Sequence, residues 1–406
     1  MRLWLSSALL LTLACSSDGP TRAPAFRHEA FFDSLEEASE NFHRSAGEWH
    51  QDYGDASFFG VAFHARHVRA FPETPRAELE ASHARIVNVV SGADLINGDL
   101  NEIAMSALGW TEYIGATGDT SGAEGLTAMV RQMNSISWLL GYYLDGEATA
   151  GFAQDLYGAT SLSAFVAILN LQHAYYIEAD REEFVAVARE AVAAIDELAW
   201  RDGYYSKARD SNELYLYPNI TMMSANARLY ALTGERAFLD RAVEVYGTIQ
   251  SLREVFAAGV RYRSPYLRDY MGLSTDNVAT LSAQNYLMLA LVLMWEQTGE
   301  NAYLEEVDRI LDGLSGELFD QFCHSWLEDF QVCDGGCGDG QSCVVDRCEA
   351  DRCGPGVLHH WIDGAIATPV EGDMFCSGCN LQTLFIMEMR RGLTAPPGPL
   401  VVALEP

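Results

Sequence analysis

Apolar positions along this chain fall into twelve blocks of helical spacing, and the blocks alternate between two kinds. In one kind apolar residues run all the way round, as over 159–177 with Phe165, Val166, Ile168, Leu169 and Leu171. In the other they form a single stripe, as over 182–199 with Phe184, Val185, Ala188, Ala191, Val192 and Ile195. A helix apolar on every side is buried, and a striped one covers it with its polar back to water. The pattern predicts inner helices near 56–70, 100–116, 159–177, 220–231, 278–297 and 380–391. Outer helices are expected near 25–45, 76–90, 123–142, 182–199, 237–255 and 302–318.

The turn after each inner helix repeats. Thr233-Gly234-Glu235-Arg236-Ala237-Phe238-Leu239 matches Thr298-Gly299-Glu300-Asn301-Ala302-Tyr303-Leu304, Thr117-Gly118-Asp119 is a third copy, and Glu178-Ala179-Asp180-Arg181 fills the slot without glycine. The steps between copies are 62, 54 and 65 residues, the mark of a repeated helical hairpin that cannot bury its apolar face alone. The last inner helix has no outer mate after it, and the first outer helix has no inner mate before it. Pairing the two closes six hairpins into an all-α (α/α)6 toroid. An open solenoid is the alternative, and it would want a polar capping repeat.

The chain ends add an address. Met1 to Ala14 carries a minimal basic start and an apolar run ending Leu13-Ala14-Cys15, which resembles a bacterial lipobox with lipidation at Cys15. Residues 1–14 are read as a signal peptide, 15–24 as lipidated cysteine and flexible tether, and 25–406 as the toroid, interrupted by a cysteine-rich insert over 321–379. Ser16 after the cysteine favours the outer membrane or cell surface of a Gram-negative bacterium, with the lipid as the only membrane attachment. The formal charge of −31, with Lys207 the only lysine, excludes nucleic acid as a partner. Nothing in the pattern specifies an oligomeric state.

The eight remaining cysteines, Cys323, Cys333, Cys337, Cys343, Cys348, Cys353, Cys376 and Cys379, lie together near the end of the chain. An even number in an exported protein implies disulfides, with pairing open. Cys376-Ser-Gly-Cys379 also has zinc-like spacing, but an oxidising location favours disulfides, so no metal is expected. No nucleophile elbow, phosphate loop or dinucleotide fingerprint is present, and no cofactor is expected.

Loops that lead into inner helices gather at one mouth of such a ring, and they are long, aromatic and acidic. Trp49, His50, Asp52, Tyr204, Tyr205, Tyr217, Trp326 and Trp361 are candidate sugar-binding residues, because aromatic faces stack on the apolar faces of pyranose rings. Candidate catalytic groups are Asp99, Glu102, Asp276, His360 and Asp363. Glycoside hydrolysis needs two carboxyl groups across the scissile bond. Asp99 and Glu102 sit i, i+3 at a helix start, which also fits a capping box, and Asp276 also fits an N-cap. In His359-His360-Trp361-Ile362-Asp363-Gly364, read as a loop, His360 or Asp363 would carry the proton.

The hairpin series, above all Ala225-Asn226-Ala227-Arg228-Leu229-Tyr230-Ala231-Leu232-Thr233-Gly234-Glu235 and the 285–304 stretch, resembles the six-hairpin glycosidase-like superfamily. That group includes α-1,6-mannanase-type hydrolases, unsaturated-uronyl hydrolases and N-acylglucosamine 2-epimerases. The resemblance implies an (α/α)6 fold and an oligo- or polysaccharide partner. Mannanase-type members carry two adjacent aspartates at an inner-helix start, where this chain has Asp99-Leu100-Asn101-Glu102. Epimerase-type members use histidines inside the barrel, and only His360, His173 and His64 are candidates here. The expected activity is glycoside hydrolysis on an extracellular or envelope glycan. The rivals are a non-catalytic glycan-binding lipoprotein and, disfavoured by export, a sugar isomerase.

Overall fold

A computed structural model describes residues 22–46, 54–70, 77–92, 100–139, 152–209, 211–263, 278–324, 341–344, 347–350, 352–357, 360–362, 365–366 and 377–394. Twelve α-helices run through these residues. The inner ones are α2 (Gly54–Ala70), α4 (Leu100–Thr117), α6 (Phe152–Tyr176), α8 (Leu216–Thr233), α10 (Leu281–Thr298) and α12 (Ser377–Gly392). The outer ones are α1 (Glu29–Ala46), α3 (Ala77–Gly92), α5 (Ala123–Leu139), α7 (Arg181–Ala199), α9 (Arg236–Ile249) and α11 (Asn301–Gly313). Each inner helix touches the next, and α12 returns to α2, so the ring is closed and the open solenoid is excluded.

The repeated turn has one geometry in all three Thr-Gly copies. The glycines take φ of 72° (Gly118), 71° (Gly234) and 69° (Gly299), a left-handed cap that a β-carbon disfavours. Each glycine N–H donates to the carbonyl four residues back at 2.8 Å. The threonine hydroxyl donates to its own i−4 carbonyl, at 2.7 Å for Thr117, 2.8 Å for Thr233 and 2.9 Å for Thr298. It then accepts from the acidic residue's N–H at 3.1–3.2 Å. Glu235 and Glu300 occupy the N-cap positions of α9 and α11 without a side-chain cap bond, so their charge acts on the helix N-terminus. In the glycine-free slot Asp180 takes the left-handed conformation instead, at φ 56°.

The seam between chain ends is held by charge as well as by apolar contact. Arg390 of α12 is fully buried and forks onto Asp308 of α11 at 3.2 and 3.0 Å, while its third nitrogen donates to the Pro24 carbonyl at 3.0 Å. Arg391 reaches Glu29 at 3.4 Å and lies over the Phe32 ring. Phe32 and Leu35 of α1 are buried against the closing hairpin.

Short strands decorate the mouth. β1 (Trp200–Arg201) pairs with β2 (Tyr204–Tyr205), and β3 (Arg253–Val255) with β4 (Val260–Tyr262). β5 (Val278–Thr280) precedes α10, and Thr280, not Asp276, is the N-cap, accepting from Ala283 N–H at 3.2 Å. The cysteine-rich stretch contains β6 (Phe319–His324), β7 (Gln341–Val344), β8 (Arg347–Ala350), β9 (Arg352–Val357), β10 (His360–Ile362) and β11 (Ala365–Ile366). β6 pairs with β9 and β7 with β8. The segment expected to be a loop around His360 is a strand: β10 lies antiparallel between β11 and β5, with His360 opposite Thr280 and Ile362 opposite Val278.

Candidate functional site: an axial cavity with a charged floor

Three inner helices face the ring axis through residues at the same distance from their Thr-Gly turns, and α6 joins them. Five residues before Thr117, Thr233 and Thr298 stand Glu112, Arg228 and Leu293, and Gln172 of α6 lines the same cavity. One turn higher are Leu108, Ile168, Ser224 and Leu289, and above them Met105, Phe165, Thr221 and Tyr286. All twelve, with Phe385 of α12, line one partly open cavity. The i, i+3, i+7 spacing keeps each set on one helix face, which is why three tiers form. The upper tiers are apolar or aromatic with three hydroxyls (Thr221, Ser224 and Tyr286), and the floor is charged.

That floor is a compact network. Arg66 of α2 donates to Glu112 at 2.9 and 3.3 Å and to the Tyr176 hydroxyl at 3.3 Å, and its guanidinium lies 5.1 Å from the Phe385 ring centre. Gln172 donates to the other Glu112 oxygen at 2.9 Å. Tyr176 donates to Glu112 at 3.3 Å. A β-carbon at Gly115 would stand 2.3 Å from the Tyr176 ring, so the missing side chain there makes room for it. On the far side Arg228 pairs with Glu296 at 3.8 Å and sits 4.8 Å over Tyr175. Burial opposes the charge on Arg66, but Glu112 and its neighbours outweigh it and the pKa rises. Burial pushes the Tyr176 phenol up, further raised by Glu112. The Glu296 carboxyl is also raised by burial, against the pull of Arg228 and Arg66. Chemically the floor presents one carboxylate (Glu112), one amide (Gln172) and one guanidinium (Arg228) to the cavity, polar groups of the kind that hydrogen-bond sugar hydroxyls. The polar intrusions into helices otherwise apolar all round were the signal for these residues, and none of them was among the sequence candidates.

The sequence candidates fall in different places. Tyr205 is buried against Trp200, its hydroxyl donates to Asp196, and burial raises its pKa. Asn219, the fourth residue of α8, bonds both the N–H and carbonyl of Tyr205, at 2.8 and 2.9 Å. Gln284, the fourth residue of α10, does the same to Tyr262 at 2.8 and 2.7 Å, and Tyr262 donates to Glu306 at 2.7 Å. Tyr205 therefore belongs to a clamp between hairpin and helix and does not face the axis. Tyr217 is buried too, hydrogen-bonded to Thr280 at 2.9 Å, with its ring edge-on to Tyr286 of the top tier. Tyr204 is half-exposed and donates to the Asn212 carbonyl at 2.7 Å. His173 is buried between α5 and α7, on Thr127 at 2.8 Å and against Phe184, off the axis.

The backbone of β10 brings His360 and Trp361 to the strand that enters α10; their side chains, and that of Glu102 in the first turn of α4, are outside the described residues. Trp49, His50, Asp52, Asp99, Asp276, Trp326, Asp363 and Cys15 lie outside them altogether. Among the described residues no group of His, Cys, Asp and Glu could hold a metal ion, and no helix is long and apolar enough to cross a membrane.

No protein-family model and no curated protein matches this chain. Solved structures do. The chain is similar to an unsaturated glucuronyl hydrolase specific for heparin, at 10% identity and TM-score 0.56 over 90% of this chain and 97% of the other. It is similar to the GH76 α-mannanase of Bacteroides thetaiotaomicron, at 12% identity and TM-score 0.53 over 84% and 85%. It is also similar to a sugar epimerase from a ruminal bacterium, at 9% identity and TM-score 0.54 over 84% and 88%. At such identities the likeness is one of fold, and that fold is the six-hairpin toroid.

Proposed function

We propose that this chain is an exported, lipid-anchored carbohydrate-active enzyme, a glycoside hydrolase acting on an extracellular or envelope glycan. The observation that carries the reading is the axial cavity: aromatic and apolar tiers above a floor of Glu112, Gln172 and Arg228. Such a lining stacks on a sugar ring and exchanges hydrogen bonds with its hydroxyls. The likeness to a glucuronyl hydrolase, an α-mannanase and a sugar epimerase supports a carbohydrate ligand. The reacting groups assigned are Asp99, Glu102, Asp276, His360 and Asp363, at or beside the starts of α4 and α10 or in the segment that joins α10 through β10. Lipidation at Cys15 and outer-membrane placement belong to the same reading.

The cysteine-rich insert is assigned four disulfides. Cys379 is disulfide-bonded, and the strand registers set Cys323 opposite Cys353 and Cys343 opposite Cys348. Opposed residues in an antiparallel pair have α-carbons about 4.5–5.5 Å apart, within disulfide reach.

The test is release of reducing ends from a panel of polysaccharides by the purified chain and by Asp99→Asn, Glu102→Gln, Asp276→Asn and Asp363→Asn. Turnover unchanged in all four would sink the assignment. One observation favours a non-catalytic glycan-binding lipoprotein: both oxygens of Glu112 are already engaged as acceptors by Arg66, Gln172 and Tyr176. That reading predicts saturable binding with no product on prolonged incubation.

A further inference from the structure

Outer helices run from the turn face to the mouth, so α1 begins at the turn face. The residues before it are pinned there. The Arg22 carbonyl accepts from Asn301, which opens α11 directly after the Thr298-Gly299-Glu300 turn, at 3.5 Å. Ala23 N–H donates to the carbonyl of Thr394, just past the end of α12, at 3.4 Å. The Pro24 carbonyl is held by Arg390 at 3.0 Å. The chain therefore leaves the barrel toward its N-terminus at the turn face, opposite the mouth.

From this exit we infer that the lipid anchor holds the turn face toward the bilayer and the mouth toward the medium, so that glycan enters from the side away from the anchoring leaflet. The inference rests on the reading of Cys15 as lipidated. Seven residue steps separate Cys15 from Arg22, and fully extended they span at most about 25 Å. The 18 residues of α1 separate turn face from mouth by about 27 Å at 1.5 Å per residue. The two lengths are nearly equal, so the mouth could settle on the membrane only with the tether fully stretched along the outer wall, a state that costs all of its conformational freedom.

The experiment uses the full acylated chain in phosphatidylethanolamine–phosphatidylglycerol vesicles containing an acceptor-labelled lipid. Donor dyes are placed by Ala179→Cys at the turn face and by Glu213→Cys in the loop that enters α8, with Ser121→Cys and Asp202→Cys as a second pair should an added thiol disturb native pairing. Energy transfer from the turn-face dye is expected to exceed that from the mouth dye by roughly threefold or more, given their separation of about one helix length. Equal transfer, or greater transfer from the mouth dye, overturns the orientation. Cys15→Ser is expected to abolish vesicle attachment. Attachment that survives it, or an N-terminal peptide whose mass shows no acyl chain, overturns the anchor itself and is told apart from a wrong orientation by that readout.

Discussion

Arg390→Met tests what closes the ring. In the native seam the guanidinium makes two charge-assisted bonds to Asp308 and one to Pro24, with no exposure of the arginine and almost none of the aspartate. Bonds of this kind contribute about 1.5–3 kcal/mol each, so the gross loss from the two to Asp308 alone is about 3–6 kcal/mol. Methionine refills most of the volume, but among the described residues Asp308 keeps only the ion-pair contacts with Arg27 and His28, both at 4.0 Å. Removing one partner of a buried pair leaves a charge without compensation, at a cost of about 3–5 kcal/mol. Urea unfolding followed by far-ultraviolet circular dichroism, with disulfides intact, reads the change from the midpoint. The double variant Arg390→Met/Asp308→Leu removes the orphaned charge and is expected within about 2 kcal/mol of wild type. A single variant costing under about 1 kcal/mol, or a double as poor as the single, would refute the clasp as the element that holds the seam.

The turn makes a sharper contrast between neighbours. Thr233→Val loses a donor to Leu229 and an acceptor for Glu235 and is expected to cost about 1 kcal/mol, whereas Glu235→Gln loses only a helix-end charge and a half-exposed pair with Arg189, under about 0.5 kcal/mol. His173 is held neutral in the fold because burial drops its pKa to about 4. The unfolded chain takes up its proton near pH 6.5 and the folded one does not, so stability falls as pH drops from about 6.5 to 4, by about 3 kcal/mol in all. His173→Gln is expected to flatten that slope in denaturation measured across the window.

The helical hairpins were legible because their signals are local, and closure followed from counting the one inner and one outer helix left without a mate. A left-handed cap requires glycine, its threonine bonds within the same turn, and a helix buried on both sides shows no polar stripe. Contacts between distant segments were not legible. Asn219 clamps Tyr205 across 14 residues and Gln284 clamps Tyr262 across 22, and nothing in either neighbourhood marks the partner. Tyr205 therefore looked like a sugar platform when its ring belongs to the core. The strand at His360 looked like a loop because its pairing partner lies 80 residues away at Thr280. The axial tiers fall between these cases. Apolar patterning cannot separate the face of an inner helix that meets the axis from the face that meets the wall. Counting back from the Thr-Gly turns does so, and it puts Glu112, Arg228 and Leu293 in one plane, with Gln172 lining the same cavity.

That plane poses the question of why a fold places charge on its own axis. A buried ion pair is weak evidence of stabilisation, because desolvating both groups cancels much of their attraction. Apolar side chains of similar size would close the same space, as Leu293 does in the same tier. If Arg66 and Glu112 serve only to plug the barrel, Arg66→Met/Glu112→Leu will match the wild type in both urea midpoint and glycan binding. If the floor meets a sugar, the double variant will hold its stability to within about 1–2 kcal/mol while losing glycan binding or turnover by tenfold or more, about 1.4 kcal/mol. Arg66→Met alone does not separate the two, since the orphaned Glu112 would cost about 3–5 kcal/mol either way. A double variant that stays folded and binds glycan as well as the parent would remove the floor from the site and leave recognition to the residues at the mouth.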